Sequence, residues 1–287
     1  MTPILIRCRN RADYLNTTLK SLLGTDLKDV FIVIVDDCSD DETMLEYLYT
    51  NNKIEIENKG WIDQIDENVT TESTLFFNPE QLSETDLWKK YIGDIDYPTT
   101  LYGINDKFSI IRPSKNMGVL CGLYWTITAG FELFKNAERI IILEDDLIFN
   151  KNWFNITNFI YNQEKFSKLG AISVYNRENN VTNNGNFYKE IEHIGGVMYL
   201  IPRNVYDFLN RNKKMVFEIE PERNVGGDTH FQNLLVKNGF KIFNTNESYI
   251  QHIGVRSLAR PGRFLRVSKN FLNPVAWSDK IWDKLKS

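Results

Sequence analysis

The residues best suited to chemistry are three consecutive acids, Glu144, Asp145 and Asp146. They follow an unbroken aliphatic run at residues 140–143, which is typical of a strand buried on both faces of a sheet. Three bare carboxylates are costly to bury without partners, so we expect them at the end of that strand. Clustered carboxylate oxygens are the ligands that Mg²⁺ and Mn²⁺ prefer. The alternative is a solvated acidic turn that binds nothing.

Two earlier apolar runs also end in polar residues. The first leads into Arg7 and Arg9, and the second, at residues 30–35, leads into Asp37. A stretch with helical periodicity separates them, which indicates a parallel β–α–β unit. Parallel strands end at one edge of a sheet, where α/β proteins place their ligands, so we expect these side chains to meet the three acids there. The alternative for Asp37 is an acid that stabilises the N-terminus of the following helix.

Two later motifs carry further candidates. Asp228 lies between two glycines and a helical pattern at residues 231–238, where the helix dipole favours an ionised base that accepts a proton from a hydroxyl. The alternatives are that Asp228 only caps that helix, or that His230 is the base. The second motif is H-I-G, and from the residues alone its His252 is an ordinary loop histidine.

Strand and helix patterns alternate along the sequence between these residues. This alternation predicts an α/β protein with one mostly parallel central sheet flanked by helices. We assign residues 1–255 to one domain, with an acidic, irregular insertion at about 53–107 and a basic C-terminal tail or flap at 256–287. The helical pattern at residues 119–134 contains small residues, among them Gly122 and Gly130. These predict that this helix approaches the sheet closely.

Composition excludes several classes of function. The 34 basic and 38 acidic residues give a net charge of −4, which offers no general attraction to nucleic acid or to an anionic membrane. No apolar run approaches the roughly 20 residues that span a bilayer, and the amino terminus lacks the features of a signal peptide. The three cysteines have no ligand-like spacing and suit a reducing compartment. We therefore expect a cytoplasmic protein with at most peripheral membrane contact.

In their order, these motifs resemble the glycosyltransferases with the GT-A fold, above all the N-acetylglucosaminyltransferase I type and related family-two-like enzymes. The likeness rests on the polar turn after the first strand, V-D-D-C-S after the second, N-x-G before a helix, E-D-D, G-G-D-x-H and H-I-G. It spans most of residues 4–257 apart from the insertion. It implies a GT-A (Rossmann-like) fold, a nucleotide-diphosphate sugar as donor, and Mn²⁺ or Mg²⁺ as cofactor.

Several residues are candidates for binding the donor, most of them by their position in the resemblance. Asp37 matches the acid that hydrogen-bonds the nucleotide base, and an acceptor for the uracil N–H favours UDP. Arg7 and Arg9 would line the nucleotide or diphosphate, and Asn116 belongs to the N-x-G motif beside them. Arg256 begins an arginine-rich stretch that suits a flap over the diphosphate, the alternative being a solvated face.

The remaining roles concern the metal and the acceptor. Asp146 matches the direct metal ligand, and His252 lies where many GT-A enzymes carry a second metal or diphosphate contact. Glu144 and Asp145 would meet the ribose, the sugar or metal-bound water. Asp228 matches the acid that deprotonates the acceptor hydroxyl in inverting members.

The sequence therefore predicts a metal-dependent glycosyltransferase that moves a hexose or N-acetylhexosamine from a UDP-sugar to a hydroxyl of a glycan or glycolipid, with inversion. Three alternatives stay open: a nucleotidyltransferase that makes NDP-sugars, a retaining transferase, and a non-catalytic glycan- or nucleotide-binding module. The first of these would need a glycine-rich phosphate loop after the first strand, and R-C-R-N-R contains no glycine.

Overall fold

The computed structural model describes residues 1–50, 100–105, 108–113, 116–176, 187–212, 227–254 and 271. Nearly all of the predicted insertion and tail lie outside these residues, so the domain division stays a prediction. The strands are β1 (Thr2–Cys8), β2 (Val30–Asp36), β3 (Thr100–Asn105), β4 (Phe108–Arg112), β5 (Arg139–Glu144), β6 (Leu147–Phe149), β7 (Leu169–Ser173), β8 (Tyr188–Ile191), β9 (Met198–Pro202), β10 (Lys241–Thr245) and β11 (Ile250–His252). The helices are α1 (Ala12–Leu23), α2 (Glu42–Leu45, continued by a π-helical turn at Glu46–Thr50), α3 (Gly118–Leu133), α4 (Trp153–Glu164), α5 (Arg203–Arg211) and α6 (Gly227–Lys237).

One large sheet forms the centre of the described chain, with its strands in the order β3-β4-β2-β1-β5-β9-β7-β10-β8. The neighbours β4, β2, β1 and β5 are parallel, and beyond the antiparallel β9 the strands β7 and β10 resume the same direction. The edge strands β3 and β8 run antiparallel to their neighbours. The predicted α/β class with a mostly parallel sheet is confirmed.

Helices cover both faces of this sheet because the central strands are apolar on both sides. In β1, Ile4 and Ile6 pack in the cluster that contains residues of α1 and α4, whereas Leu5 packs in the cluster that contains residues of α3, α5 and α6. All three residues are fully buried. Alternation along a strand sends neighbouring side chains to opposite faces, so an unbroken aliphatic run is what a doubly covered strand requires.

A second, two-stranded sheet adjoins the carboxyl end of β5. The chain leaves β5, turns at Asp145 and Asp146, and enters β6, which pairs with the antiparallel β11. In that pairing Leu147 lies opposite His252. The last strand of the described chain is thereby brought next to the acidic turn, although more than a hundred residues separate the two in sequence.

Among the described helices, none combines the length and the apolar character needed to cross a membrane.

Candidate functional site

The acidic motif lies at the carboxyl edge of the sheet, where the sequence placed it. Glu144 is the last residue of β5, and Asp145 and Asp146 form the turn before β6. Asp145 is fully buried and Asp146 is 2% exposed, so they do not form a solvated turn. Buried carboxylates require cationic or hydrogen-bonding partners.

Arg11, at the N-cap of α1, supplies part of that charge. Its Nη1 donates to Asp146 Oδ2 at 2.8 Å and its Nε donates to Asp145 Oδ2 at 3.2 Å, while Nη2 contacts Asp145 Oδ1. Burial alone would lower the pKa of Arg11, but the adjacent carboxylates outweigh burial and raise that pKa. The sequence-based site omitted Arg11. The available signal was its place as the third arginine of R-C-R-N-R, close after the first strand.

A group of potential metal ligands is formed by Glu144, Asp146 and His252, whose ligand atoms all lie within 4.8 Å of one another. His252 Nε2 is 3.3 Å from Asp146 Oδ2. Asp146 Oδ1 is buried, and nothing in the described part of the chain hydrogen-bonds it. This oxygen is therefore available as a metal ligand. Together with the carboxylate of Glu144 and the imidazole of His252, it suits Mn²⁺ or Mg²⁺. The residues present therefore fit the metal that the resemblance implies.

The electrostatics of this group reflect its burial. Desolvation, followed by the charges of Asp146 and Asp228, raises the pKa of Glu144 to about 7. Burial would lower the pKa of His252, but the hydrogen bond to Asp146 and the charge of that carboxylate outweigh it and raise the pKa. Burial would raise the pKa of Asp146, but His252 and Arg11 hold it below its usual value. Such perturbed groups cluster at functional sites.

Asp37 lies where β2 ends, against the start of α3. Its Oδ1 accepts a hydrogen bond from the backbone N–H of Met117 at 2.6 Å, and its Oδ2 lies 3.3 Å from Asn116 Nδ2. Burial raises the pKa of Asp37, and this rise is opposed by the backbone hydrogen bonds from Met117 and Gly118 and by the charges of Arg7 and Arg9. The structure thus brings together Asp37, Asn116 and the two predicted arginines at one edge.

Arg7 and Arg9 occupy different settings at the end of β1. Arg7 pairs in register with Glu144 of β5, and its guanidinium lies so close to α3 that a Cβ on Gly122 would fall 2.9 Å from Nη2. Arg9 has its Nη2 3.9 Å from Asp40 Oδ2, a partly exposed and weak pair. Arg7 therefore lies between the predicted base-binding residue and the acidic group.

Asp228 is the second residue of α6 and lies in its first turn. Its carboxylate rests against the backbone of Gly196, where a Cβ would fall 1.9 Å from Oδ2. The rival base His230 is buried, at 6% exposure, and its ring lies edge-on to that of Tyr124 with 6.4 Å between centroids. The charge of Asp228 contributes to the raised pKa of Glu144, which favours Asp228 as the acid near the metal-ligand group. Arg256 lies outside the described residues.

One stretch of the chain matches the model of a known protein family. Residues 4–49, which comprise β1, α1, β2 and α2 with the turns between them, match the family model described as Glycosyl transferase family 2. For this part of the chain, the predicted resemblance to glycosyltransferases is confirmed. The finer likeness to the N-acetylglucosaminyltransferase I type stays a prediction. Among curated proteins, none matches the chain.

Several solved structures are similar to the chain. TarS 1–349 of S. aureus in complex with UDP-GlcNAc has a TM-score of 0.46 and 12% identity, over 87% of this chain and 58% of that one. The mannosyltransferase PcManGT of Pyrobaculum calidifontis, in complex with GDP-Man and Mn²⁺, has a TM-score of 0.45 and 11% identity, over 84% and 53%. The glycosyltransferase GlyE of Streptococcus pneumoniae has a TM-score of 0.41 and 12% identity, over 84% and 44%. The matched region is at most 58% of each of these longer chains.

Proposed function

We propose that the chain is a metal-dependent glycosyltransferase that uses a nucleotide-diphosphate sugar, with UDP favoured as the nucleotide. One observation carries the proposal. The group of Glu144, Asp146 and His252 lies at the same sheet edge as Arg7 and Asp37, which belong to the region that matches the glycosyltransferase family. A cation site beside a candidate nucleotide site suits transfer from a nucleotide-diphosphate sugar, because a cation can stabilise the charge that develops on the departing diphosphate.

The proposed chemistry divides the site between donor and acceptor. Asp146 and His252 would hold Mn²⁺ or Mg²⁺ together with Glu144, and the cation would supply positive charge to stabilise the departing diphosphate. Asp37 accepts a hydrogen bond from the nucleotide base, and Arg7 contributes charge next to the diphosphate. For Arg9, Asn116 and Arg256 the proposal keeps the donor roles that the resemblance implies, whereas Asp145 is fully buried and paired with Arg11.

The transfer is a single displacement at the anomeric carbon of the sugar. The acceptor hydroxyl oxygen forms a bond to the anomeric carbon as the bond from that carbon to the diphosphate oxygen breaks. Asp228 accepts the proton that the hydroxyl loses, which makes the oxygen a better nucleophile in the transition state. Attack on the face opposite the leaving group inverts the anomeric configuration. We propose a glycan or glycolipid as the acceptor and a hexose or N-acetylhexosamine as the transferred sugar. The proposed location is the cytoplasm.

Thermal unfolding in the presence of donors tests the proposal. The full chain is heated with UDP, GDP and UDP-sugars, each with and without Mn²⁺. We expect UDP or a UDP-sugar to raise the melting temperature only when Mn²⁺ is present, because ligands that bind the folded state stabilise it. Asp146→Asn should remove this rise, whereas Asp26→Asn, at a half-exposed acid that pairs with Lys151, should retain it. Absence of any metal-linked rise would overturn the proposal in favour of a non-catalytic binding module.

A further inference from the structure

The turn that carries Asp146 interrupts the strand from which it emerges, so its backbone groups need partners other than a neighbouring strand of the main sheet. The carbonyl of Asp146 itself accepts a hydrogen bond from the N–H of Ile253 at 2.8 Å. Two further backbone groups flank Asp146, the carbonyl of Asp145 before it and the N–H of Leu147 after it. Buried backbone groups of this kind almost always find partners.

Both of these groups are bound by one side chain. Thr18, in the middle of α1, donates from Oγ1 to the carbonyl of Asp145 at 2.6 Å and accepts from the N–H of Leu147 at 2.8 Å. Thr18 is fully buried, so its hydroxyl is shielded from solvent. A single hydroxyl therefore spans the two peptide units that flank Asp146.

This geometry fixes the position of the Asp146 backbone on both sides. Thr18 secures the preceding and following peptides, and Ile253 secures the carbonyl between them. The Asp146 carboxylate starts from a backbone that cannot tilt without breaking one of these bonds. Partners behind a metal ligand typically change metal affinity about 10- to 100-fold when they are removed.

We propose that Thr18 is a positioning residue for the metal site, which holds the backbone of Asp146 so that its carboxylate meets the cation together with Glu144 and His252. The proposal rests on the proposed function, because it presumes that the cation binds there. Thr18 touches neither substrate nor cation, and acts only through Asp146.

Ser21 offers a matched control on the same helix. It is also buried, and its Oγ accepts a hydrogen bond from the N–H of Phe149 at 2.9 Å. This bond likewise joins α1 to β6, but it lies three residues beyond Asp146, away from the acidic turn. A general loosening of the contact between helix and strand would follow from the loss of either hydroxyl. A specific effect on the cation would follow only from the loss of the Thr18 hydroxyl.

The experiment measures Mn²⁺ binding directly, from the electron paramagnetic resonance signal of free Mn²⁺ during titration of the full chain. We expect Thr18→Val, which keeps the side-chain shape and loses the hydroxyl, to weaken Mn²⁺ binding about tenfold or more. Thr18→Ser, which keeps the hydroxyl, should retain the wild-type affinity, and Ser21→Ala should also retain it. Thermal unfolding of the metal-free variants shows that each is folded. If Thr18→Val does not fold, Thr18→Ala compared with Ser21→Ala makes the same test.

The outcomes separate this inference from the function on which it rests. If Mn²⁺ binds the wild type, is lost in Asp146→Asn and is unchanged in Thr18→Val, the role of Thr18 is overturned and the metal site stands. Equal weakening in Thr18→Val and Ser21→Ala also overturns it, because the effect is then general. If the wild type binds no Mn²⁺, the metal site and the role of Thr18 both fall, while nucleotide binding at Asp37 is judged separately by metal-free titration with UDP.

Discussion

Arg11 shows how a single residue makes a buried acidic turn tolerable. Its guanidinium contacts both Asp145 and Asp146, and Asp145 has no exposed surface. Burial raises the pKa of Asp145, and the Arg11 charge opposes that rise. Of these two acids, Asp146 alone would also bind the proposed cation. Arg11 therefore stays the partner of Asp145 whether or not the cation is bound.

Removal of Arg11 should therefore destabilise the whole protein. We expect Arg11→Ala to lower the free energy of unfolding by about 3–5 kcal/mol, because it leaves a buried carboxylate without its partner. Urea denaturation measures the loss. Arg9→Ala should cost far less, because the ion pair of Arg9 with Asp40 is 3.9 Å long and partly exposed. Equal losses in the two variants would show that the contacts of Arg11 with the turn are energetically unimportant.

The residues of the metal group also predict how cation binding depends on pH. Mn²⁺ needs an ionised Glu144 and a neutral His252, whereas the pKa of Glu144 is raised to about 7 and that of His252 is also raised. Binding must therefore release protons, and affinity must increase as the pH rises through about 7. Below that pH each retained proton costs about tenfold in affinity per pH unit.

Titration of Mn²⁺ between about pH 5.5 and 8.5 tests this expectation. The slope should be shallower in Glu144→Gln, which has no carboxyl proton to lose. A pH-independent affinity in the wild type would mean that the cation does not displace these protons.

Single residues also mark the limit of what the sequence could predict. The acids at residues 144–146, Asp37 and Asp228 could be found because each follows an apolar run or opens a helical pattern, and such positions collect at one sheet edge. The role of Arg11 could not, because Arg7, Arg9 and Arg11 alternate along one stretch, and only the packing of α1 against β6 decides which of them meets the turn.

At the level of elements, the sequence predicts some contacts and not others. Small residues were expected to bring α3 near the sheet, and a Cβ on Gly130 would indeed lie 3.0 Å from Ile140 Cδ1 of β5. By contrast, β6 and β11 were not predicted. They are short strands, and their pairing joins residues too distant in sequence to show any periodic signal. For that reason His252 could be predicted as a ligand only from the family resemblance.

The segment after β11 gives the prediction that belongs to this scale. A Cβ on Gly254 would lie 2.1 Å from Asp146 Oδ2 and 3.1 Å from His252 Cε1. Because Arg11 already fixes that carboxylate, Gly254→Ala should displace one of the two ligands and weaken Mn²⁺ binding about tenfold or more. The same titration applies to Gly24→Ala, where the new Cβ makes only ordinary contacts of 3.4 Å and longer, and affinity should stay at the wild-type value. Unchanged affinity in Gly254→Ala would place the cation elsewhere.

At the level of the whole molecule, the sheet brings to one edge residues from both ends of the described chain. β1 and β2 deliver Arg7 and Asp37, β5 delivers Glu144, and β11 delivers His252 across the turn. Parallel pairing of β2, β1 and β5 makes this arrangement a consequence of topology, because their carboxyl ends must lie side by side. The order of strands and helices along the sequence is enough to predict this edge. It does not predict that the antiparallel β9 lies between β5 and β7 in the sheet.

A shared edge implies that nucleotide and cation bind as one unit. If the diphosphate of UDP reaches from Asp37 to the cation on Asp146, each ligand must strengthen the binding of the other by the same factor. We expect that factor to lie at about 5–150-fold, the usual range for coupled sites. Calorimetric titration gives the affinity for UDP with and without Mn²⁺, and for Mn²⁺ with and without UDP.

Uridine separates this coupling from two independent sites. It retains the base that Asp37 would recognise and lacks the diphosphate, so its affinity should not depend on Mn²⁺. Asp146→Asn should reduce UDP to the behaviour of uridine, because the nucleotide then keeps its base contact and loses its cation. If UDP and Mn²⁺ bind wild type without affecting each other, the base site and the metal site do not serve one ligand, and transfer from a nucleotide-diphosphate sugar at this edge is excluded.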